Sequence, residues 1–158
     1  MELLARYPNL GVLRTFSKAH ALAGVRVGYA VSAPDVADML NRVRQPFNVN
    51  IPALVGAAAA LDDVHQPQRA LQLVEDGLRQ LGEALPRLGV KTYPSAGNFL
   101  LVEVDGEGRA VYERLLRHGV IVRPVAGYGL PAGLRITIGT AQQNEKLIRA
   151  LAAALGPG

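Results

Sequence analysis

The stretch Arg14-Thr-Phe-Ser-Lys-Ala-His-Ala-Leu-Ala-Gly-Val-Arg-Val-Gly-Tyr29 carries more chemistry than any other part of this 158-residue sequence. Lys18 stands in a locally neutral, apolar run, directly after the Ser17 hydroxyl and eight residues before Arg26. A lysine amine attacks a carbonyl carbon only after losing its proton, and apolar surroundings with nearby cations favour that form. Lys18 is therefore a candidate Schiff-base nucleophile. Arg26 offers a planar fork for a phosphate, Ser17 adds a hydroxyl donor, and Gly24 and Gly28 let the backbone approach a ligand closely. Together these residues describe a site for an aldehyde that bears a phosphate, although a Ser-Lys pair with an arginine downstream also arises without function.

Working outward, Gly24 to Val31 alternates small and β-branched residues and reads as a strand, followed by the helix-start signature Ser32-Ala-Pro-Asp35. Val36, Met39, Leu40 and Val43 recur at helical spacing, and that face stops at Gln45-Pro46. Residues 51–61 are alanine-rich and apolar nearly all round, the pattern of a buried helix. From Leu71 through Val74, Leu78, Leu81, Leu85 and Leu88 the spacing of three and four predicts the longest helix, a connector between two lobes, weakened by Gly77, Gly82 and Pro86.

The pattern then changes. Strands are expected over 90–93, 99–104, 120–123 and 134–138, a helix over 109–117 closed by Gly119, and a last helix with Leu147, Ile148, Leu151 and Leu155 inward. Thr140 with Gln143 forms the capping box of that last helix. The second lobe reads as a β-β-α-β-β-α unit with helices on one face of its sheet. The boundaries expected are 1–66 for the first lobe, 67–89 for the connecting helix and 90–158 for the small domain.

Composition narrows the classes. The chain is 49% hydrophobic and 19% charged with a mean hydropathy of +0.16, which places it among globular sequences. Cysteine is absent, which removes disulfides and thiolate chemistry, and three well-separated histidines make no metal site. The longest uncharged run, residues 45–61, is broken by Pro46 and Pro52 and does not span a membrane, and the N-terminal residues lack the apolar core of a signal peptide. A cytoplasmic location is the expectation. The net charge is +4, but the 17 basic residues are scattered and aromatics are few, so nucleic acid is not the expected partner. Fourteen of the 17 are arginine, a bias that suits planar recognition of carboxylate or phosphate and that high-GC codon usage also produces.

The segment Thr-Phe-Ser-Lys-Ala-x-x-Leu-Ala-Gly-x-Arg-x-Gly-Tyr resembles the lysine motif of the fold-type I pyridoxal-phosphate aminotransferases, and its wording is closest to the histidinol-phosphate group. The similarity continues in order through Arg44-Gln-Pro-Phe-Asn-Val-Asn50, Pro94-Ser-Ala-Gly-Asn-Phe-Leu-Leu101, Gly119-Val-Ile-Val-Arg123 and Leu134-Arg-Ile-Thr-Ile-Gly139. The resemblance implies an α/β fold: part of the large-domain sheet with its helices, a long connecting helix, and a small α+β C-terminal domain. It implies pyridoxal 5'-phosphate as cofactor, with Lys18 as its anchor and as the base at the substrate's Cα, and Ser17 and Arg26 on its phosphate. Arg135 corresponds to the arginine that grips the substrate's carboxylate or phosphate, and Arg123 to a second phosphate-facing arginine. Both are expected at strand ends. Asn98 is expected either to border the active site or to be a turn asparagine, and His20 is read as a packed helix residue.

The resemblance also sets a departure, because the sequence opens at the family's middle. The aromatic stacked on the cofactor ring, the aspartate paired with the pyridine nitrogen, and the asparagine and tyrosine near O3′ have no counterpart here. The implied reaction is transamination between histidinol phosphate and 2-oxoglutarate in histidine biosynthesis, slow or absent in this chain alone. The alternatives are a noncatalytic fragment or assembly domain, and a related threonine-phosphate decarboxylase or aromatic aminotransferase. Apolar helix faces and strand edges in the first lobe are expected to need a partner, either copies of the chain in a homo-oligomer or a missing N-terminal half.

Overall fold

The computed structural model describes residues 2–156, which form two units, one extending to Ala70 and the other starting at Leu71. In the first unit a helix missed by the periodicity, α1 (Glu2–Arg6), precedes β1 (Val12–Thr15), which pairs antiparallel with β2 (Gly28–Val31) from Val12↔Val31 to Thr15↔Gly28. The Phe16 N–H donates to Val27 O at 3.3 Å, so the ladder runs one step further and closes the neck of a long loop. Phe16 and Val27 are buried there against Ala53 and Ala57.

The strand expected over 24–31 is half that length. Ala23–Val25 form a 3₁₀ turn, and Arg26 takes the left-handed conformation (φ 56°, ψ 54°), which stops an extended chain. The helix that follows, α2 (Pro34–Val43), has Pro34 in its first turn, where a fixed φ suits a helix start. Ser32 does not cap it; its hydroxyl donates to Ala33 O. Arg44 is extended and ends the helix two residues before Pro46.

Asn50 caps α3 (Ile51–Asp62), its side chain accepting from the Ala53 N–H at 2.8 Å. The buried helix expected here is corrected: only Ala53 and Ala57 are buried, while Ile51, Leu54, Val55 and Leu61 are exposed. A helix apolar all round has no preferred outward side, and within this unit only its alanine stripe meets the neck at Phe16. The periodic face of α2 is likewise open, with Met39, Leu40 and Val43 all exposed.

The next helix, α4 (His65–Ala84), contains the division between the units and starts earlier than the leucine spacing implies. Asp63 explains the early start, since its carboxylate accepts the N–H groups of His65 and Gln66 at 2.9 and 3.1 Å. Pro86 ends the α-helical run, and residues 86–88 continue as a 3₁₀ turn closed by Gly89 at φ 74°.

The second unit follows the expected β-β-α-β-β-α order: β3 (Lys91–Thr92), β4 (Phe99–Glu103), α5 (Gly108–Arg117), β5 (Arg123–Pro124), β6 (Gly133–Thr137) and α6 (Ala141–Leu155). The sheet is antiparallel, in the order β3-β4-β6-β5. Alternation gives it two faces. Leu100 and Val102 of β4 lie opposite Ile136 and Leu134 of β6, and all four are buried with Val111 and Leu115 of α5 and Leu147 and Leu151 of α6. Each such Leu or Ile contributes about 2 kcal/mol of burial, so this cluster is what holds the unit together. The capping box of α6 is present, with Thr140 accepting from Gln143 N–H and the Gln143 side chain accepting from Thr140 N–H. Residues 120–122, expected in a strand, stay outside the ladder. The Val120 N–H closes the end of α5 on Leu115 O behind Gly119 (φ 65°) and is not free to pair with β6.

Gly77 emerges as a packing residue. A Cβ there would overlap Cγ2 of Ile138 and lie 2.9 Å from Nδ2 of Asn144. The buried Asn144 donates to Gln80 Oε1 and Gly139 O and accepts from Gly139 N–H, joining α4, α6 and the end of β6.

Candidate functional site: a loop lysine and a cross-strand arginine pair

The candidate residues fall into two groups, one in each unit. In the first unit they sit on the loop between β1 and β2. Ser17 and Arg26 each lie one residue beyond the Phe16–Val27 neck bond, so the register of the hairpin sets them on the two sides of the loop's mouth. Ser17 is half-buried, with its N–H on Thr15 Oγ1 at 3.1 Å, and Lys18 and Arg26 are exposed. The Lys18 carbonyl accepts from Ala21 N–H, a turn that hands the chain back so that Leu22 N–H reaches Phe16 O. The apolar enclosure that the local sequence suggests for Lys18 is absent from this unit, because the loop's apolar side chains turn inward to the Phe16–Val27 cluster.

Arg26 adopts a left-handed backbone without being glycine, a conformation that costs about 1–2 kcal/mol. Its Nη1 donates to Ala23 O at 2.8 Å, which ties the side chain back to the preceding 3₁₀ turn. No carboxylate pairs with it among the described residues. Gly28 is explained internally: an added Cβ would lie 2.7 Å from Arg14 O across the hairpin. Gly24 has open space around it and leaves the backbone accessible to a ligand. His20 is in a turn, not a helix, and its ring packs tilted by 46° against Phe16, centroids 4.9 Å apart.

These residues fit a phosphate-bearing aldehyde. A guanidinium with no carboxylate partner among the described residues, a hydroxyl and an exposed amine occupy one loop, which is the donor set such a ligand requires.

In the second unit Arg123 and Arg135 are direct register partners on β5 and β6, and Leu101 lies on the other side of Arg135. Tyr93 extends the row, its N–H donating to Leu101 O. Arg135 is in the middle of its strand rather than at the end expected, and Arg123 does begin β5. Alternation puts this row on the sheet face opposite the core. Two like charges directly across a strand pair repel, and neither guanidinium has a carboxylate within ion-pair distance among the described residues. Nε of Arg135 is buried with no hydrogen-bond partner. An arginine pair left unneutralised in this way has donors to offer an anion. Asn98 lies outside the row. It is exposed, in the bend before β4, and its carbonyl accepts from Ile138 N–H.

Two aromatics that sequence reasoning did not single out support the arginines. The Phe99 ring centroid is 5.3 Å from Cζ of Arg135, and the Tyr128 ring centroid is 5.8 Å from Cζ of Arg123. Alternation from Leu100 could have located Phe99, whereas Tyr128 is on a 3₁₀ turn where no period points to it. At the lower edge of the same face Glu103 accepts from the Tyr93 hydroxyl at 2.6 Å and from Lys91 at 3.0 Å, and these bonds hold its carboxyl below the usual glutamate value. Among the described residues no helix is long and apolar enough to cross a membrane.

Known proteins resemble the chain in sequence and fold. The family profile "Aminotransferase class I and II" matches residues 1–151. Histidinol-phosphate aminotransferase 1 of Nitrosococcus oceani is 52% identical over 148 residues, covering 94% of this chain and 40% of that protein. Histidinol-phosphate aminotransferase 2 of Pseudomonas fluorescens Pf-5 is 53% identical over 155 residues, covering 98% and 42%. Among solved structures, the histidinol-phosphate aminotransferase of Sinorhizobium meliloti in complex with pyridoxal-5'-phosphate superposes with a TM-score of 0.85 at 31% identity, covering 94% of this chain and 41% of that one. The L-threonine-O-3-phosphate decarboxylase of Porphyromonas gingivalis gives 0.87 at 26% identity, covering 98% and 49%. The chain thus spans about two fifths of the length of the curated relatives it matches. With the fold of type I aminotransferases over that span, the chain belongs to the class I and II aminotransferase family.

Proposed function

We propose that this chain supplies the lysine loop and the anion-gripping small domain of a pyridoxal-phosphate-dependent aminotransferase acting on histidinol phosphate and 2-oxoglutarate. The observation that carries the reading is the cross-strand pair Arg123↔Arg135, unneutralised and with a buried, unpartnered Nε. Such a pair suits a phosphate monoester, whose two negative charges offset both cations, better than a single carboxylate.

In this reading Ser17 and Arg26 hold the cofactor's phosphate, and Lys18 anchors its aldehyde. When bound, the cofactor supplies the electron sink that makes breaking the substrate's Cα–H bond feasible. Lys18 Nζ, released from its anchoring role, takes the proton from Cα and so acts as general base. Arg135 and Arg123 orient the substrate through its anionic group, which fixes which bond at Cα faces the base. The exposed apolar side chains of the first unit support a further part of the proposal, that this surface is covered in the working protein by a second copy or by further aminotransferase sequence.

A second reading, decarboxylation of a threonine phosphate, is favoured by the similarity to the Porphyromonas gingivalis enzyme and by the phosphate its substrate shares. Release of carbon dioxide without transfer of an amino group to 2-oxoglutarate distinguishes it. The test of the main reading is chemical trapping: the chain is mixed with pyridoxal phosphate, reduced with borohydride and digested. A pyridoxyl group on the Lys18 peptide, absent from Lys18→Ala, is expected. Labelling confined to Lys91 or Lys146, or no label at saturating cofactor, overturns it.

A further inference from the structure

We infer that Tyr128 is a third member of the anion site, fixing the direction of the Arg123 guanidinium and donating its own hydroxyl hydrogen to a phosphate oxygen. The inference rests on the reading of Arg123 and Arg135 as a phosphate-gripping pair. Nη2 of Arg123 donates to the Tyr128 hydroxyl oxygen at 3.2 Å. A guanidinium can only donate, so the phenol must accept in that bond, and its hydrogen is left for another acceptor. Among the described residues none receives it, and Tyr128 is 71% exposed.

The backbone around Tyr128 is fixed. Its N–H donates to Val125 O at 2.9 Å, Gly129 at φ 79° closes the turn, and Val125 N–H is bonded to Gly133 O beside β6. The turn therefore holds the phenol next to the start of β5, where Arg123 stands. Both arginines are backed by an aromatic ring, Phe99 for Arg135 and Tyr128 for Arg123, but only Tyr128 adds a polar hydrogen. Two guanidinium forks already satisfy the two oxygens of a carboxylate. A phosphate monoester presents a third terminal oxygen out of that plane, and the phenol hydrogen is the donor available for it. Tyr128 on this account contributes selectivity for phosphate over carboxylate.

The experiment measures binding of inorganic phosphate and of acetate to the full chain by NMR titration, for wild type, Tyr128→Phe, Arg123→Gln and Arg135→Gln, with thermal melting as a check on folding. Tyr128→Phe keeps the ring and its packing. It is expected to weaken phosphate about tenfold, the effect of losing a hydrogen bond to a charged group, and to leave acetate binding within about twofold. A merely structural role would weaken both anions together or lower the melting temperature. If Arg135→Gln abolishes phosphate binding while Tyr128→Phe binds both anions as wild type does, the role of Tyr128 is overturned and the arginine reading stands. If neither arginine substitution affects phosphate, the arginine reading fails, and the inference about Tyr128 fails with it.

Discussion

The same substitution at two glycines of α4, Gly77→Ala and Gly82→Ala, is expected to act with opposite sign. On helix propensity alone both stabilise, because glycine in a helix interior is about 1 kcal/mol worse than alanine. At Gly82 nothing lies within 4 Å of the added Cβ, so that gain is realised in full. At Gly77 the new methyl meets Cγ2 of Ile138, a branch fixed by its own buried strand end, and sits 2.9 Å from Nδ2 of Asn144. Overpacking of this kind costs about 1–3 kcal/mol. Displacing the Asn144 amide also weakens its bonds to Gln80 and Gly139, at about 1 kcal/mol each. After subtracting the propensity gain, Gly77→Ala is expected to destabilise by about 2–4 kcal/mol, which separates the two variants by about 3–5 kcal/mol. Urea unfolding followed by circular dichroism measures this directly. Equal stabilisation by both alanines would refute the packing of α4 against Ile138 and Asn144.

Four further outcomes are expected. Asn144→Ala leaves both half-buried backbone groups of Gly139 without their side-chain partner and lowers stability by about 1–3 kcal/mol in the same urea assay. Arg26→Gly relieves a left-handed arginine and so does not destabilise the chain in thermal melting, yet it weakens pyridoxal phosphate about tenfold or more in a fluorescence titration, as expected for loss of a charge-assisted contact. Because the Tyr93 hydroxyl and Lys91 hold the Glu103 carboxyl below its ordinary value, that contribution to stability is complete above about pH 4.5 and is lost as pH falls through the lowered value; acid unfolding of Glu103→Gln is therefore shallower over that window. Finally, Phe47, Ile51 and Val43 are 97%, 75% and 79% exposed, so light scattering of the isolated chain should show concentration-dependent association that polar replacements at these positions reduce.

What could be read from the sequence follows from where each element finds its partners. The second unit was legible because its amphipathic segments bury one another: the alternation at Leu100 and Val102 and the Thr140 capping box need only neighbours within 60 residues or so. For α2 and α3 the apolar faces and their need of a partner were legible, but what covers them was not, because periodicity shows which side is apolar and nothing about its neighbour. The conformation of Arg26 had no local signal, since the left-handed region normally announces itself through glycine or asparagine. The pairing of Arg123 with Arg135 depends on strand register, and a shift of one residue would send one of them to the core face. Gly77 read as a flaw in a helix because the close approach of Ile138, 61 residues later, is a property of the tertiary fold alone.

Cofactor binding by the loop between β1 and β2 is tested most directly by a crystal structure of the chain with pyridoxal 5'-phosphate. The expected density joins Nζ of Lys18 to the cofactor's aldehyde carbon, with the phosphate between the Arg26 guanidinium and the Ser17 hydroxyl. A cofactor phosphate bound elsewhere, with Lys18 and Arg26 left bare, would contradict it.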